Sequence, residues 1–332
     1  MDEKFYRDIE SGCFRIYGVF KENGWFRRIP EQIAKSVSPN VYNLHTNTAG
    51  GRVRFVTDSP YVLIRTEYSP GRMSHFALSG SSGFDVYADY EDESRYEGTF
   101  LPPTDVNDGY EGQIEFSRSG KRVVTINFPL YSSVKKVFVG LSADALLETA
   151  PDYKIEKPIV YYGSSITQGG CASKPGSSYE SILSRRFGCN YINLGFSGSA
   201  RGEEAIGDYI KDLDMRVFVL DYDHNATTPD ELAATHENLF KKVRKQNPTL
   251  PIVIMTRPKI HLTEEEEKRH QIVYSTYLRA KEQGDPNVYF ISGKDLMRLV
   301  GDNGTVDNVH PTDSGFWSMA EELGKVFAKI FE

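Results

Sequence analysis

Cysteine is scarce in this chain. There are three among 332 residues, Cys13, Cys171 and Cys189, too few and too scattered for a disulfide framework or a zinc cluster, and the odd count points to free thiols in a reducing compartment. Long apolar runs are missing as well. No stretch of 18 apolar residues occurs, so no membrane-spanning helix is expected, and the start, MDEKFYRDIE, lacks the basic-then-apolar order of a secretory leader. A cytoplasmic location is the expectation, or a secreted or periplasmic one if a leader has been removed. Positive charge is also in deficit: 39 Lys and Arg stand against 46 Asp and Glu, for a net charge of -7. The basic clusters, Lys241-Lys242-Val243-Arg244-Lys245 and Lys135-Lys136, are short and read as solvated faces, which argues against nucleic acid or an anionic membrane as partner. Histidine is rare too, seven in all. His236 and His270 fall in helical stretches without a partner at metal-ligand spacing, and His224 and His261 are expected in surface or local hydrogen-bonding roles. Neither a metal nor a cofactor is expected, and the sequence leaves both a monomer and a homo-oligomer open.

What is present is the composition of a folded protein, 39% hydrophobic and 26% charged, at a length of about two domains. From Ile16 to about Leu141, short β-branched and aromatic runs alternate with turn residues: the strands predicted are Gly51-RVRFVTD, Tyr61-VLIRTEY, Phe84-DVYADY, Gly112-QIEFS, Lys121-RVVTINFP and Lys136-VFVGLS. Val53 and Phe55 alternate with Arg52 and Arg54, as Val62 and Ile64 do with Arg65 and Glu67, the pattern of a sandwich or jelly roll with one face of each strand on the core and one in water. No helical stretch of comparable strength is expected there, and Leu101 to Gly112 reads as a loop. Trp25, Tyr87, Tyr90, Tyr110 and Tyr131 could stack on sugar rings if exposed on one face; packing is the commoner role for any one of them. The prolines and charges of Leu147 to Lys157 mark the boundary, giving domains 1–150 and 151–332.

In the second half, strands and amphipathic helices alternate, as in a parallel sheet with helices on both faces. Strands are expected at Ile159-VYY, Tyr191-INLG, Val217-FVLDY, Ile252-VIMT and Asn287-VYFIS. Helices are expected at Ser178 to Phe187, Glu203 to Leu213, Pro229 to Gln246, after Thr263 to about Gln283, and from about Asp313 to Phe331, with capping signals at Thr228 and Thr263. Five such units with right-handed crossovers give a flavodoxin-like three-layer α/β/α sandwich.

Ester hydrolysis at neutral pH needs an activated hydroxyl, a base, a group that orients the base, and donors for the oxyanion. Ser165 sits where the first of these strands turns, in Gly163-Ser164-Ser165-Ile166-Thr167. His310 lies in Asp307-Asn308-Val309-His310, where an Asp three residues earlier can hold the imidazole. Gly195, in Asn193-Leu194-Gly195-Phe196-Ser197-Gly198, and Asn225, in Asp223-His224-Asn225, offer donors at the next two strand ends. All four segments converge on the carboxyl edge of the predicted sheet. Arg257, at the end of the fourth strand, is a weaker candidate for substrate contact, and Cys171 is read as structural.

These blocks resemble those of the SGNH (GDSL-type) hydrolase superfamily, whose Ser, Gly, Asn and His follow in this chain order from Pro158 onward. Ser164 stands where the motif has Asp, and the third block reads Asp-His-Asn rather than Gly-x-Asn-Asp. Gly83-Phe84-Asp85-Val86-Tyr87 further resembles a bacterial subgroup with an N-terminal β-rich domain. The resemblance implies Ser165 as nucleophile, His310 as base, Asp307 as its orienter, and the Ser165 N–H, Gly195 and Asn225 as oxyanion donors. It implies a serine esterase acting through an acyl-enzyme on small acyl esters, acetyl esters of carbohydrates fitting best, with a lipase or thioesterase of the same superfamily as a related alternative. A glycan-binding protein with an inert hydrolase domain is the rival from another class.

Overall fold

The computed structural model describes residues 6–332. The first five, part of the stretch read for a leader, lie outside the described residues. The chain divides into two compact units, one of residues up to Arg28, Thr46–Tyr153 and Ala172–Gly176, the other of Ile29–His45, Lys154–Cys171 and Ser177–Glu332.

In the first unit an antiparallel sheet runs in the order Tyr6–Asp8, Ser133–Gly140, Tyr61–Ser69, Glu111–Glu115. A second runs Leu147–Thr149, Arg52–Thr57, Arg122–Asn127, Phe84–Asp89, Ser94–Phe100, with Arg15–Tyr17 also paired to Arg52–Thr57. Val53, Phe55, Val124 and Ile126 from one sheet and Val62, Ile64, Val137 and Val139 from the other form one buried core, so this is a β-sandwich. The expected alternation holds at Arg65 and Glu67, which are exposed, and fails at Arg52 and Arg54, which are buried. Their face is covered by the segment just before the boundary. Arg52 Nε donates to the Tyr153 hydroxyl at 2.7 Å, Arg54 Nη1 donates to Pro151 O at 3.0 Å, and the Arg54 guanidinium lies 4.2 Å from the Tyr153 ring centre. A guanidinium stacked on an aromatic face can still donate within its own plane, which offsets part of the cost of burial, although Arg54 Nε is buried without a partner among the described residues. Tyr87, Tyr110 and Tyr131 are buried packing residues, and the Tyr110 hydroxyl is bound to Phe100 O at 2.6 Å. Trp25 and Tyr90 are half-buried beneath Lys135 and Arg118. The buried Asp85 accepts from Asn127 Nδ2 at 2.8 Å and from the Gly176 amide at 2.7 Å, which ties residues 172–176 to this unit.

The expectation of an uninterrupted β region is corrected at Glu31–Val37 and Pro39–Leu44, two short helices that belong to the second unit. Ile29, Ala34 and Val41 are buried in that unit's core, and the Ser38 hydroxyl accepts from the Val41 amide to start the second helix. The boundary expected at 150/151 therefore falls after Tyr153, with residues 29–45 and 172–176 exchanged between units.

The second unit holds a parallel sheet of β1 (Ile155–Gly163), β2 (Cys189–Gly195), β3 (Val217–Asp221), β4 (Ile252–Met255) and β5 (Val288–Ile291), in the order 2-1-3-4-5. That is the flavodoxin-like order. The principal helices are α1 (Tyr179–Phe187), α2 (Glu204–Lys211), α3 (Pro229–Gln246), α4 (Glu264–Glu282) and α5 (Asp313–Phe331). Strand β1 is central because its Ile159, Val160, Tyr161 and Tyr162 are wholly buried, each such side chain being worth about 1.5–3 kcal/mol of transfer free energy. Side chains of Ser178, Thr228, Thr263 and Thr312 cap α1, α3, α4 and α5. At α4 the capping box is complete; at α3 the Glu231 carboxylate turns instead to the amide and hydroxyl of Thr227.

Candidate active site

The turn that follows β1 is shaped by its own side chains. Ser164 is fully buried and its hydroxyl accepts from the Ile166 amide at 3.2 Å, while Thr167 Oγ1 donates to Asp221 Oδ2 at 3.1 Å. Asn193 on β2 ties the turn to the neighbouring strand, with Nδ2 donating to Thr167 O at 2.5 Å. Between these anchors Ser165 is 8% exposed, and its Oγ lies 2.9 Å from His310 Nε2.

The loop before α5 presents that histidine. Asp307 Oδ1 accepts the Val309 and His310 amides at 3.1 and 2.8 Å, and Asn308 adopts φ 66°, a left-handed conformation that Asn tolerates better than most residues. Asp307 Oδ2 then sits 2.8 Å from His310 Nδ1. Burial works to raise the Asp307 carboxyl, but the His310 amide and imidazole and the Val309 amide outweigh it and hold its pKa below the usual carboxylate range. The carboxylate stays charged, and with Nδ1–H directed at it, Nε2 is left as the acceptor for the serine proton. The structure thus brings Ser165, His310 and Asp307 into one hydrogen-bonded line.

The donors are arranged differently from expectation. Gly195 lacks a Cβ for packing rather than for catalysis: a Cβ there would stand 2.2 Å from Gln168 N, and the Gly195 N–H donates to Asn193 Oδ1 at 2.9 Å. Its amide is committed to the fold. Three residues on, Gly198 has φ 65°, and its amide meets no acceptor among the described residues, while the amides of Ser197 and Ser199 on either side are bonded to Gln168 Oε1 and Phe196 O. Asn225 is where the sequence places it, in the loop after β3. One hydrogen of Nδ2 goes to Phe196 O at 2.9 Å, which fixes the amide beside the Gly198 turn and leaves the second hydrogen for another acceptor.

Arg257 is not turned toward these groups. Its guanidinium pairs with Glu266, which also takes Lys259 at 3.0 Å. Burial alone would raise the Glu266 carboxyl, yet the Thr263 amide, Lys259 and Arg257 bring it down to about 2. Arg257, just past the end of β4, is thus the ion-pair partner of Glu266 on α4. His224, expected in a surface or local hydrogen-bonding role, has Nε2 buried, and burial, with the positive charge of Arg257 beside it, holds its pKa well below the ordinary histidine value. Cys171 is a buried thiol, pushed up to about 12 by burial and then by the Asp307 charge, so it is not a competing nucleophile.

A serine line with donors converging from two further strand ends matches one known arrangement. The model of the GDSL-like lipase/acylhydrolase family covers residues 156–328, more than half of the chain. The chain belongs to this family. It is accordingly a carboxylic ester hydrolase, and residues 5–147 match the family described as the N-terminus of SGNH-hydrolase-type esterases. Among solved structures, this GDSL-like acylhydrolase is similar to a Bacteroides ovatus protein described as a GDSL-like lipase, at 26% identity and TM-score 0.88, covering 99% of this chain and 98% of that one. It shares its fold with a salicylyl-acyltransferase from a tetracycline biosynthetic pathway, at 20% identity and TM-score 0.78 over 98% of this chain and 97% of that one. It does so also with an acetyl xylan esterase from the rumen bacterium Butyrivibrio proteoclasticus, at 12% identity and TM-score 0.60 over 99% and 100%. No curated protein matches the sequence.

The sequence did not single out Gly198 of the acylhydrolase, whose amide is open among the described residues. Its signal was present: it is the second glycine of Asn193-Leu194-Gly195-Phe196-Ser197-Gly198, in the turn beyond the strand rather than within it.

Proposed function

We propose that the protein hydrolyses esters of small acyl groups, acetyl above all, carried on carbohydrates, with Ser165 as nucleophile. The observation that carries the mechanism is the continuous line from Ser165 Oγ to His310 Nε2 at 2.9 Å and from His310 Nδ1 to Asp307 at 2.8 Å. As Oγ bonds to the acyl carbon, its proton passes to Nε2, and the carbonyl electrons move onto oxygen. That oxyanion is met by the Ser165 and Gly198 amides and the second hydrogen of Asn225 Nδ2. Collapse breaks the bond to the alcohol, which leaves with the proton from Nε2. Water then repeats the sequence, frees the acid and restores Ser165.

The likeness to an acetyl xylan esterase over the whole of both chains supports a sugar acetate as substrate. The likeness to a salicylyl-acyltransferase supports testing an alcohol as acyl acceptor as well as water. The rival reading as a glycan binder has less to stand on, because Tyr87, Tyr110 and Tyr131 are buried in the sandwich rather than offered to a sugar.

Ser165→Ala should lower turnover of a small activated acetyl ester by at least about a thousandfold while leaving thermal unfolding nearly unchanged. Unaltered turnover would remove Ser165 from the mechanism. A panel of acetylated oligosaccharides and aryl esters of graded chain length, read as relative kcat/KM, tests the substrate. A maximum at long acyl chains would favour a lipase instead.

A further inference from the structure

The loop that carries Asn225 has neither a helical nor a strand ladder to hold it, and its anchor comes from helix α4. Arg269, in the second turn of α4, is 5% exposed, and its Nη1 donates to Asp223 O at 3.1 Å and to Ala226 O at 2.7 Å. Those two carbonyls bracket His224 and Asn225. No backbone amide reaches either of them among the described residues. The rest of the guanidinium is held by Glu265 Oε1, which accepts from Nε at 3.2 Å and from Nη2 at 2.8 Å. From the other side, the Asn225 amide is bound to Phe196 O at 2.9 Å and its backbone N–H to Tyr222 O at 3.2 Å.

We propose that Arg269 is a positioning residue for the ester hydrolysis: by clamping the Asp223 and Ala226 carbonyls it fixes the Asn225 side-chain amide where the oxyanion forms. It touches no substrate and acts only through Asn225, so the inference rests on the oxyanion role given to Asn225 above. Three physical points support it. A charged donor shared by two carbonyls is stronger than a neutral one. It is buried, so water does not replace it, and its loss leaves two carbonyls without a partner. An oxyanion donor works because it is already in place when charge develops, so a loop free to shift by about an ångström gives up much of the benefit.

The test is a double-mutant cycle on the full chain, with kcat and KM measured for 4-nitrophenyl acetate and thermal unfolding followed in parallel. Asn225→Ala should lower kcat by about a hundredfold or more. Arg269→Met, which keeps the aliphatic stem, should lower kcat by about tenfold with KM within about twofold, and by less than about twofold when Asn225 is already Ala, because coupled residues are non-additive. Equal losses in both backgrounds, or no loss in kcat, would overturn the proposal. A wild-type kcat for Asn225→Ala would instead remove Asn225 from the oxyanion site, and the role of Arg269 with it. Should Arg269→Met not fold, Arg269→Lys carries the same comparison. Its ammonium keeps the charge but not the planar fork, so kcat should fall to an intermediate value, again only where Asn225 is intact. A loss that persists in the Asn225→Ala background would overturn the proposal.

Discussion

Glu180 is wholly buried in the first turn of α1, and Asp221, 1% exposed, is the last residue of β3. Asp221 accepts from Thr167 Oγ1 at 3.1 Å and from the Tyr179 hydroxyl at 3.3 Å, so it braces the serine turn from below. Burial pushes both carboxyls well above the ordinary range, and a neighbouring carboxylate adds to each, Asp221 to Glu180 and Asp223 to Asp221. The consequence for stability has a definite sign. In acid, Glu180 is protonated in the folded and the unfolded chain alike. As pH rises past the ordinary value of 4.5, the unfolded chain releases the proton while the folded one keeps it, so stability falls. Glu180→Gln has no proton to lose at this position. Its Tm should match the wild type near pH 4 and exceed it by a margin that grows toward pH 7; a margin independent of pH would show that Glu180 is charged in the fold.

At the scale of elements, helix α4 shows how local chemistry sets a boundary. Thr263 Oγ1 accepts from the Glu266 amide at 3.3 Å, and Glu266 Oε2 accepts from the Thr263 amide at 2.8 Å. Thr263→Ala should reduce stability by about 1 kcal/mol, read as a lower urea midpoint at unchanged slope. Such elements were legible in the sequence because the signals are local: the capping residues, the apolar run of β1, and the period-two pattern at Val62 and Ile64. What was not legible depended on distant chain. The alternation of Arg52 and Arg54 suggested a wet face, but Tyr153, about a hundred residues later, covers it. Ile29, Ala34 and Val41 looked like part of the β region, yet they are buried in the core of the other unit. Ser165, His310 and Asp307 could be named because each sits in a compact motif. Gly195 was preferred to Gly198 because a motif does not say which amide β2 uses for itself. Arg269 carried no signal at all, since its acceptors are carbonyls and any residue supplies one.

For the whole molecule, the strand order 2-1-3-4-5 places β1 between β2 and β3, so the turns after these three strands meet at the crevice where open sheets bind ligands. Ser165, Gly198 and Asn225 each come from one of those turns, while Asp307 and His310 arrive from the loop before α5.

That last arrival has a kinetic meaning. The serine and its base are separated by 145 positions along the chain, and β2 to β5 lie between them. Contacts that distant are slow to form, because a long loop must be closed before anything is gained. Hydrolytic activity is therefore a stopwatch for the final docking of α5. During refolding from urea, far-UV circular dichroism should recover ahead of ester turnover, with no burst of activity at early times. Turnover that returns in step with the first gain of helical signal would show that the sheet and its last helix assemble together.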